Sequence, residues 1–219
     1  MHSPALNPLP WSVWLLTLAI AGVELVLWAG AHGLVNMAGS AGLRAQALVL
    51  AGVNPGLQGW MIETGQTSLP HLARYFGFGL VHQGPLQAGL VVIITAALGK
   101  TCAERIGSLR LLAVLALSQA AGGVVFGLTA APEAWLIGGY PLIFALAGCY
   151  AGLVWHGDSA PVGRRKALGL VAVLIAGRLL LAVLVGGGMD WIADLTACVA
   201  GYALGRILRP GLRLRLRRA

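Results

Sequence analysis

Charge is what this sequence has least of. Asp, Glu, Lys and Arg make up 10% of its 219 residues, against a hydrophobic share of 58%. A soluble globular protein carries about a quarter charged residues, because its surface must face water. A chain this poor in charge cannot cover such a surface, which excludes a soluble enzyme, a disordered chain and a fibrous protein. Cysteine is scarce as well. Cys102, Cys149 and Cys198 are scattered and form no CxxC, so neither a disulfide framework nor a redox motif is present. No glycine loop that could cradle a phosphate is present, since the glycines fall in apolar runs or turns. His32, His71, His82 and His156 lack metal-ligand spacing, so no metal and no cofactor are expected. The opening MHSPALNPLP has no positive n-region and no small-residue cleavage site, so the apolar run after it reads as a retained span.

What is present is a series of apolar runs. A membrane helix needs about 20 mostly apolar residues. Runs at 11–31, 75–98, 109–128, 137–155, 168–185 and 191–208 meet that need, the second broken near its start by His82, Gln83 and Pro85. Backbone groups in lipid must be satisfied internally, so the expected fold is an all-α polytopic bundle of six transmembrane helices. It forms a single domain over 1–208, followed by a basic tail over 209–219. Small residues four apart, as in Gly148-Cys-Tyr-Ala-Gly152 and Ala197-Cys-Val-Ala-Gly201, read as helix-packing seams.

The net charge is +8. Lys100, Arg105 and Arg110 fall between the second and third spans, and Arg164, Arg165 and Lys166 between the fourth and fifth. Arg206, Arg209, Arg213, Arg215, Arg217 and Arg218 follow the sixth. In an alternating six-span arrangement all these segments share one side, which the positive-inside bias makes cytoplasmic. Both termini are then cytoplasmic, and the long loop over about 32–74 lies outside. Part of that loop reads as either an amphipathic piece in the interface or a plain loop. The arginine tail is short, lacks aromatics and abuts a span. Topology and anionic lipid headgroups suit it better than nucleic acid.

Four stretches then resemble the rhomboid family of intramembrane serine proteases. They are Arg74-Tyr-Phe-Gly-Phe-Gly-Leu-Val-His82, Glu104-Arg-Ile-Gly-Ser108 with Arg110, Gly138-Gly-Tyr-Pro-Leu-Ile-Phe-Ala-Leu-Ala-Gly148, and Ala193-Asp194-Leu-Thr-Ala-Cys-Val-Ala-Gly201. The resemblance implies a rhomboid-like six-helix bundle. In that family a serine opening the fourth span attacks the peptide carbonyl, and a histidine on the sixth is its base. Here the serine position holds Tyr140 and the histidine position Asp194. The residue after the nucleophile is Pro141, which has no N–H. The family's oxyanion donors on the second span align with Gln87 and Val91, and Val91 cannot donate. Ser118 is the one serine deep within a span. The resemblance therefore implies a non-catalytic member that binds transmembrane helices of other proteins. It would serve as an accessory or assembly subunit of a larger complex, or as a client-binding factor. An active peptidase with a non-standard site is the alternative, and a transporter is disfavoured by the lack of an internal repeat. A bacterial inner membrane is the expected location.

Glu24, Arg178 and Asp194 fall inside spans, where an ionisable residue is costly and needs a partner. The fifth and sixth spans turn at Gly186-Gly187-Gly188, which sets Arg178 and Asp194 at similar depth. Arg178 is expected to pair with Asp194, or with Glu24 across the bundle. With Tyr140, Gly148 and Gly152 these residues are the candidate helix-binding positions, and Tyr140 is expected to plug the cavity of the lost active site.

Overall fold

A computed structural model describes residues 8–34, 42–155, 160–185 and 188–208. His156, the glycines at 186 and 187, and the tail arginines Arg209, Arg213, Arg215, Arg217 and Arg218 lie outside the described residues. Among those described the chain is helical: α1 (Trp11–Ala31), α2 (Leu43–Ala51), α3 (Pro55–Thr64), α4 (Leu69–Gly77), α5 (Pro85–Ile106), α6 (Ser108–Thr129), α7 (Tyr140–Val154), α8 (Ala160–Val185) and α9 (Trp191–Leu208). Of these, α1, α5, α6 and α9 are long and apolar enough to cross a membrane. The central α7 is apolar but shorter, and α8 has 26 residues.

The first, third and sixth spans stand where hydropathy puts them. The second is displaced. Its apolar run is interrupted by α4, a 3-10 turn at Phe78–Leu80 and extended backbone at Val81. Gly84 precedes Pro85, a place where helical backbone is disfavoured, and Pro85 then starts α5 as a first-turn proline. The helix runs on to Ile106 and carries Lys100 and Arg105 on its own last turns. Gly107, at φ +87°, then makes the whole connection to α6. Similarly, α8 begins well before the apolar run of the fifth span. It takes Arg164, Arg165 and Lys166 onto its first turns, with Arg164 Nε donating 2.8 Å to the Trp155 carbonyl.

The core is built around α7, in which every residue from Pro141 to Val154 except Tyr150 is buried. At roughly 1.5 Å per residue its 15 residues span about 22 Å, short of the ~30 Å hydrocarbon thickness. Irregular backbone at membrane depth is tolerated where protein buries it. The segment before α7 meets this condition: Val53 and Leu136 form an antiparallel bridge, and Asn54 Nδ2 donates to the carbonyls of Pro132 (2.9 Å) and Ala134 (2.8 Å).

Lipid offers helices little hydrophobic reason to associate, so close approach through small residues must hold the centre. The seam between α7 and α9 supplies it. A Cβ on Gly148 would collide with the Cys198 carbonyl oxygen, one on Gly201 with that of Ala145, and one on Gly152 with that of Tyr202. On Gly205 it would come within 2.5 Å of the Cys149 oxygen. The glycines at 148 and 152 are therefore packing residues, locking the helix that begins at Tyr140 to the one that carries Asp194.

The long loop is folded. Its helices α2, α3 and α4 expose Leu50, Ile62 and Leu69. Yet they are fastened to the bundle by Gln58 Nε2 donating to Val124 O (3.1 Å) and Gln119 Nε2 to Phe76 O (2.9 Å), and to one another by Arg74 donating to Gly52 O at the end of α2 (2.8 Å). Apolar side chains facing out from a docked helical loop suit a segment lying in the membrane interface. At the opposite end, where α5, α7 and α9 finish, Arg105 stands over the Tyr150 ring at 5.7 Å and Arg164 over Trp155 at 5.4 Å, with Trp155 edge-on to Tyr202. Aromatic and basic residues gathered in this way mark a membrane–water boundary. Arg206, on the last turn of α9, belongs to this end.

Candidate functional site

Four positions singled out by the sequence meet around the start of α7. Gly138 takes φ +107°, a conformation open to glycine, and its N–H donates 3.0 Å to the Phe78 carbonyl. Gln87 stands beside it: a Cβ on Gly138 would lie 2.7 Å from Gln87 Nε2. Val91, one turn further along α5, packs on Gly139, where an added Cβ would approach its Cγ1 to 2.5 Å. His82 is fully buried on the same side, 3.1 Å through Nε2 from that Cβ position. Its Nδ1 lies 3.2 Å from the Leu80 carbonyl, and its Nε2 has no hydrogen-bond partner among the described residues. The backbone entering α7 is thus faced by one amide side chain, one imidazole and one alkyl group. Gln87 Oε1 already accepts from the Gln83 N–H at 2.8 Å.

The other side of the site belongs to Arg178. Its Nε donates to Asp194 Oδ2 at 2.6 Å, its Nη2 pairs with Asp190 Oδ2, and its guanidinium carbon stands 5.1 Å from the centre of the Tyr140 ring. One cation thereby serves two carboxylates and an aromatic face, a geometry to which the planar guanidinium is suited. Tyr140 and Asp194 do not hydrogen-bond each other; the arginine joins them. Of the two partners expected for Arg178, Asp194 is the one found. Glu24 pairs elsewhere, with Arg44 of α2, through contacts of 2.7 and 3.2 Å, while Arg44 also donates to the His82 carbonyl. That ion pair ties α1 to the loop and to the approach to α5.

Sequence reasoning missed Arg44 and Asp190 as participants, and it took up His82 as the end of the family-like stretch 74–82 without a role at the site. Asp190 had a signal, since residues 190 and 194 are one helical turn apart at the start of α9 and present two carboxylates to one face. Arg44 had a weaker one, being a basic residue outside the three basic clusters expected on the cytoplasmic side. Ser118 is fully buried on α6, and its hydroxyl has no hydrogen-bond partner among the described residues.

Two spaces adjoin the arginine. A groove of about 300 Å³ between α5 and α8 is walled by Leu90, Ile94, Tyr140, Leu174 and Arg178 among others. Tyr140 forms one wall of it, and the other walls are mostly aliphatic. A second cavity of about 150 Å³, between α7, α8 and α9, reaches Asp194 past Phe144, Ile175, Leu179 and Leu195. No group of three or more His, Cys, Asp or Glu side chains that could hold a metal ion occurs among the described residues.

A family model described as a Rhomboid domain matches residues 70–211, from the start of α4 to just beyond α9. Span α1 and most of the long loop lie outside that match. No curated protein matches the chain.

Proposed function

The chain belongs to the rhomboid family, and on that premise we propose that it is a non-catalytic member that binds transmembrane helices of other membrane proteins. It acts as an accessory or assembly subunit of a membrane complex, or as a client-binding factor. The observation that carries this reading is the bond between Arg178 and Asp194 beneath the Tyr140 ring. An acyl-transfer dyad needs a nucleophile within hydrogen-bond reach of a base that can take its proton. Here the two positions hold a phenol and a carboxylate, with a guanidinium between them engaging both.

The surroundings support the same reading. Stabilising a tetrahedral oxyanion needs donors aimed at it. Pro141 has no N–H and Val91 presents only methyl groups; Gln87 accepts from the Gln83 N–H through Oε1, so of the two span positions only its Nε2 can donate. Meanwhile two apolar spaces adjoin this polar cluster, the groove between α5 and α8 and the cavity that opens on the α8–α9 flank, and either gives a partner helix a seat. The basic residues at the opposite end of the bundle suit anionic lipid headgroups on the cytoplasmic face of a bacterial inner membrane, with both termini on that face.

Purification from the native membrane in mild detergent, with every co-isolated protein identified and its ratio measured, tests the proposal. A fixed-ratio complex, or a set of intact single-span proteins, is the expected result. Recovery of the protein alone, or of cleaved fragments of membrane proteins, contradicts it.

A further inference from the structure

The charges around Arg178 do not balance. Asp190 and Asp194 share one guanidinium, and its Nε, Nη2 and face are already committed to Asp194, Asp190 and Tyr140. Asp194 is 1% exposed, yet its Oδ1 has no hydrogen-bond partner among the described residues. That carboxylate lines the cavity of about 150 Å³ between α7, α8 and α9. The cavity is not sealed: Ile175, Leu179, Trp191 and Leu195 on its walls are exposed side chains on the flank where α8 and α9 face lipid.

We propose that this cavity receives the basic side chain, a lysine or arginine, of a transmembrane helix seated on the α8–α9 flank. The inference rests on the reading of the protein as a helix-binding member, and it names the chemistry of the partner. An aliphatic stem fits walls made of Phe144, Ile175, Leu179 and Leu195, while an ammonium or guanidinium at its tip meets Asp194 Oδ1. The cationic tip restores the missing charge and satisfies the unpartnered oxygen in one contact. A helix with a neutral residue at that level leaves both deficits, and one with an acid adds a third negative charge. The partner's own buried cation would otherwise be costly in lipid, so each protein solves the other's problem.

The test uses the full chain in lipid nanodiscs and fluorescent single-span leucine–alanine peptides. At the level of Asp194 these carry lysine, leucine, glutamine or glutamate. The lysine peptide is expected to bind about three- to tenfold more tightly than the leucine peptide, the range of a polar contact between helices in lipid, and the glutamate peptide more weakly than either. Asp190→Asn, at the half-exposed end of α9, is expected to narrow the lysine preference without disturbing folding. Equal binding of lysine and leucine peptides, or a full lysine preference in Asp190→Asn, overturns the inference and leaves helix binding standing. Failure of every peptide to bind overturns the helix-binding reading, and this inference with it.

Discussion

Arg178 Nε and Asp194 Oδ2 lie 2.6 Å apart, sixteen positions from each other in sequence and on adjacent helices. On the proposed reading, this bond lies where the family's catalysis would need a free base facing a nucleophile. Its energetics follow from burial. Both groups are withdrawn from water, so neither is tolerable without the other.

Arg178→Leu strands Asp194 with no cation, and a loss of about 3–5 kcal/mol is expected, the range for breaking a buried pair from one side. Removing the carboxylates at the same time, with Asp190→Asn and Asp194→Asn, should recover most of that loss. Thermal unfolding in detergent, followed by tryptophan fluorescence, measures both. An Arg178→Leu protein as stable as the parent would show that the bond does not hold α8 to α9.

The α7–α9 seam predicts sharp sensitivity at one set of glycines and indifference elsewhere. Gly148→Leu drives a side chain into the Cys198 carbonyl, and Gly201→Leu into that of Ala145. Each should cost about 3 kcal/mol or more, at the upper end of overpacking penalties or beyond, because backbone has to move. Gly169→Ala on α8 has nothing within 4 Å of the new methyl group and should leave the midpoint unchanged or slightly raised.

Glu24 and Arg44 couple the first span to α2 of the long loop. In Arg44→Met the glutamate remains buried on α1 without its cation, and α2 loses its tie to the His82 carbonyl. Hydrogen exchange over Leu43–Ala51 should then quicken by about an order of magnitude, as expected where a local unit loses about 1.4 kcal/mol of protection. Unchanged exchange would mean that the bridge and the Asn54 contacts hold the loop by themselves.

Restoring the family's two side chains should not restore chemistry. In Tyr140→Ser with Asp194→His, Pro141 still lacks an N–H and Val91 still offers no donor, so an oxyanion has too few partners. Arg178 is also left facing Asp190 alone. A serine-directed fluorophosphonate should label this variant no more than it labels Tyr140→Ala. Labelling at residue 140 would show that the oxyanion site survives.

Much of this was legible in the sequence, for reasons that differ from residue to residue. Spans at 11–31 and 191–208 coincide with α1 and α9 because hydropathy sums over some twenty residues and both runs are uninterrupted. Hydropathy places the second span ten residues early because it counts Phe76, Leu80 and Val81 as apolar and gives no weight to the backbone preference of Gly84–Pro85. The three loop helices are too short for periodicity to register. Among the charges, depth along the chain brought Arg178 and Asp194 to one level. Nothing local linked Glu24 to Arg44, since the loop folds back over the bundle by contacts that only the assembled structure contains. Gln87 and Val91 were placed by resemblance alone, and the structure sets them beside Gly138 and Gly139.

The central claim, that a partner helix is held and not cut, is tested most directly by photocrosslinking in native membranes. A benzophenone amino acid at Leu181 or Ile94, both on the wall of the α5–α8 groove, reports what occupies it. The account predicts adducts with full-length membrane proteins, recovered intact, and none from a probe at Val26 on the exposed face of α1. Adducts that consist of truncated proteins ending at a defined bond within their transmembrane helix would contradict it and would make this chain a protease.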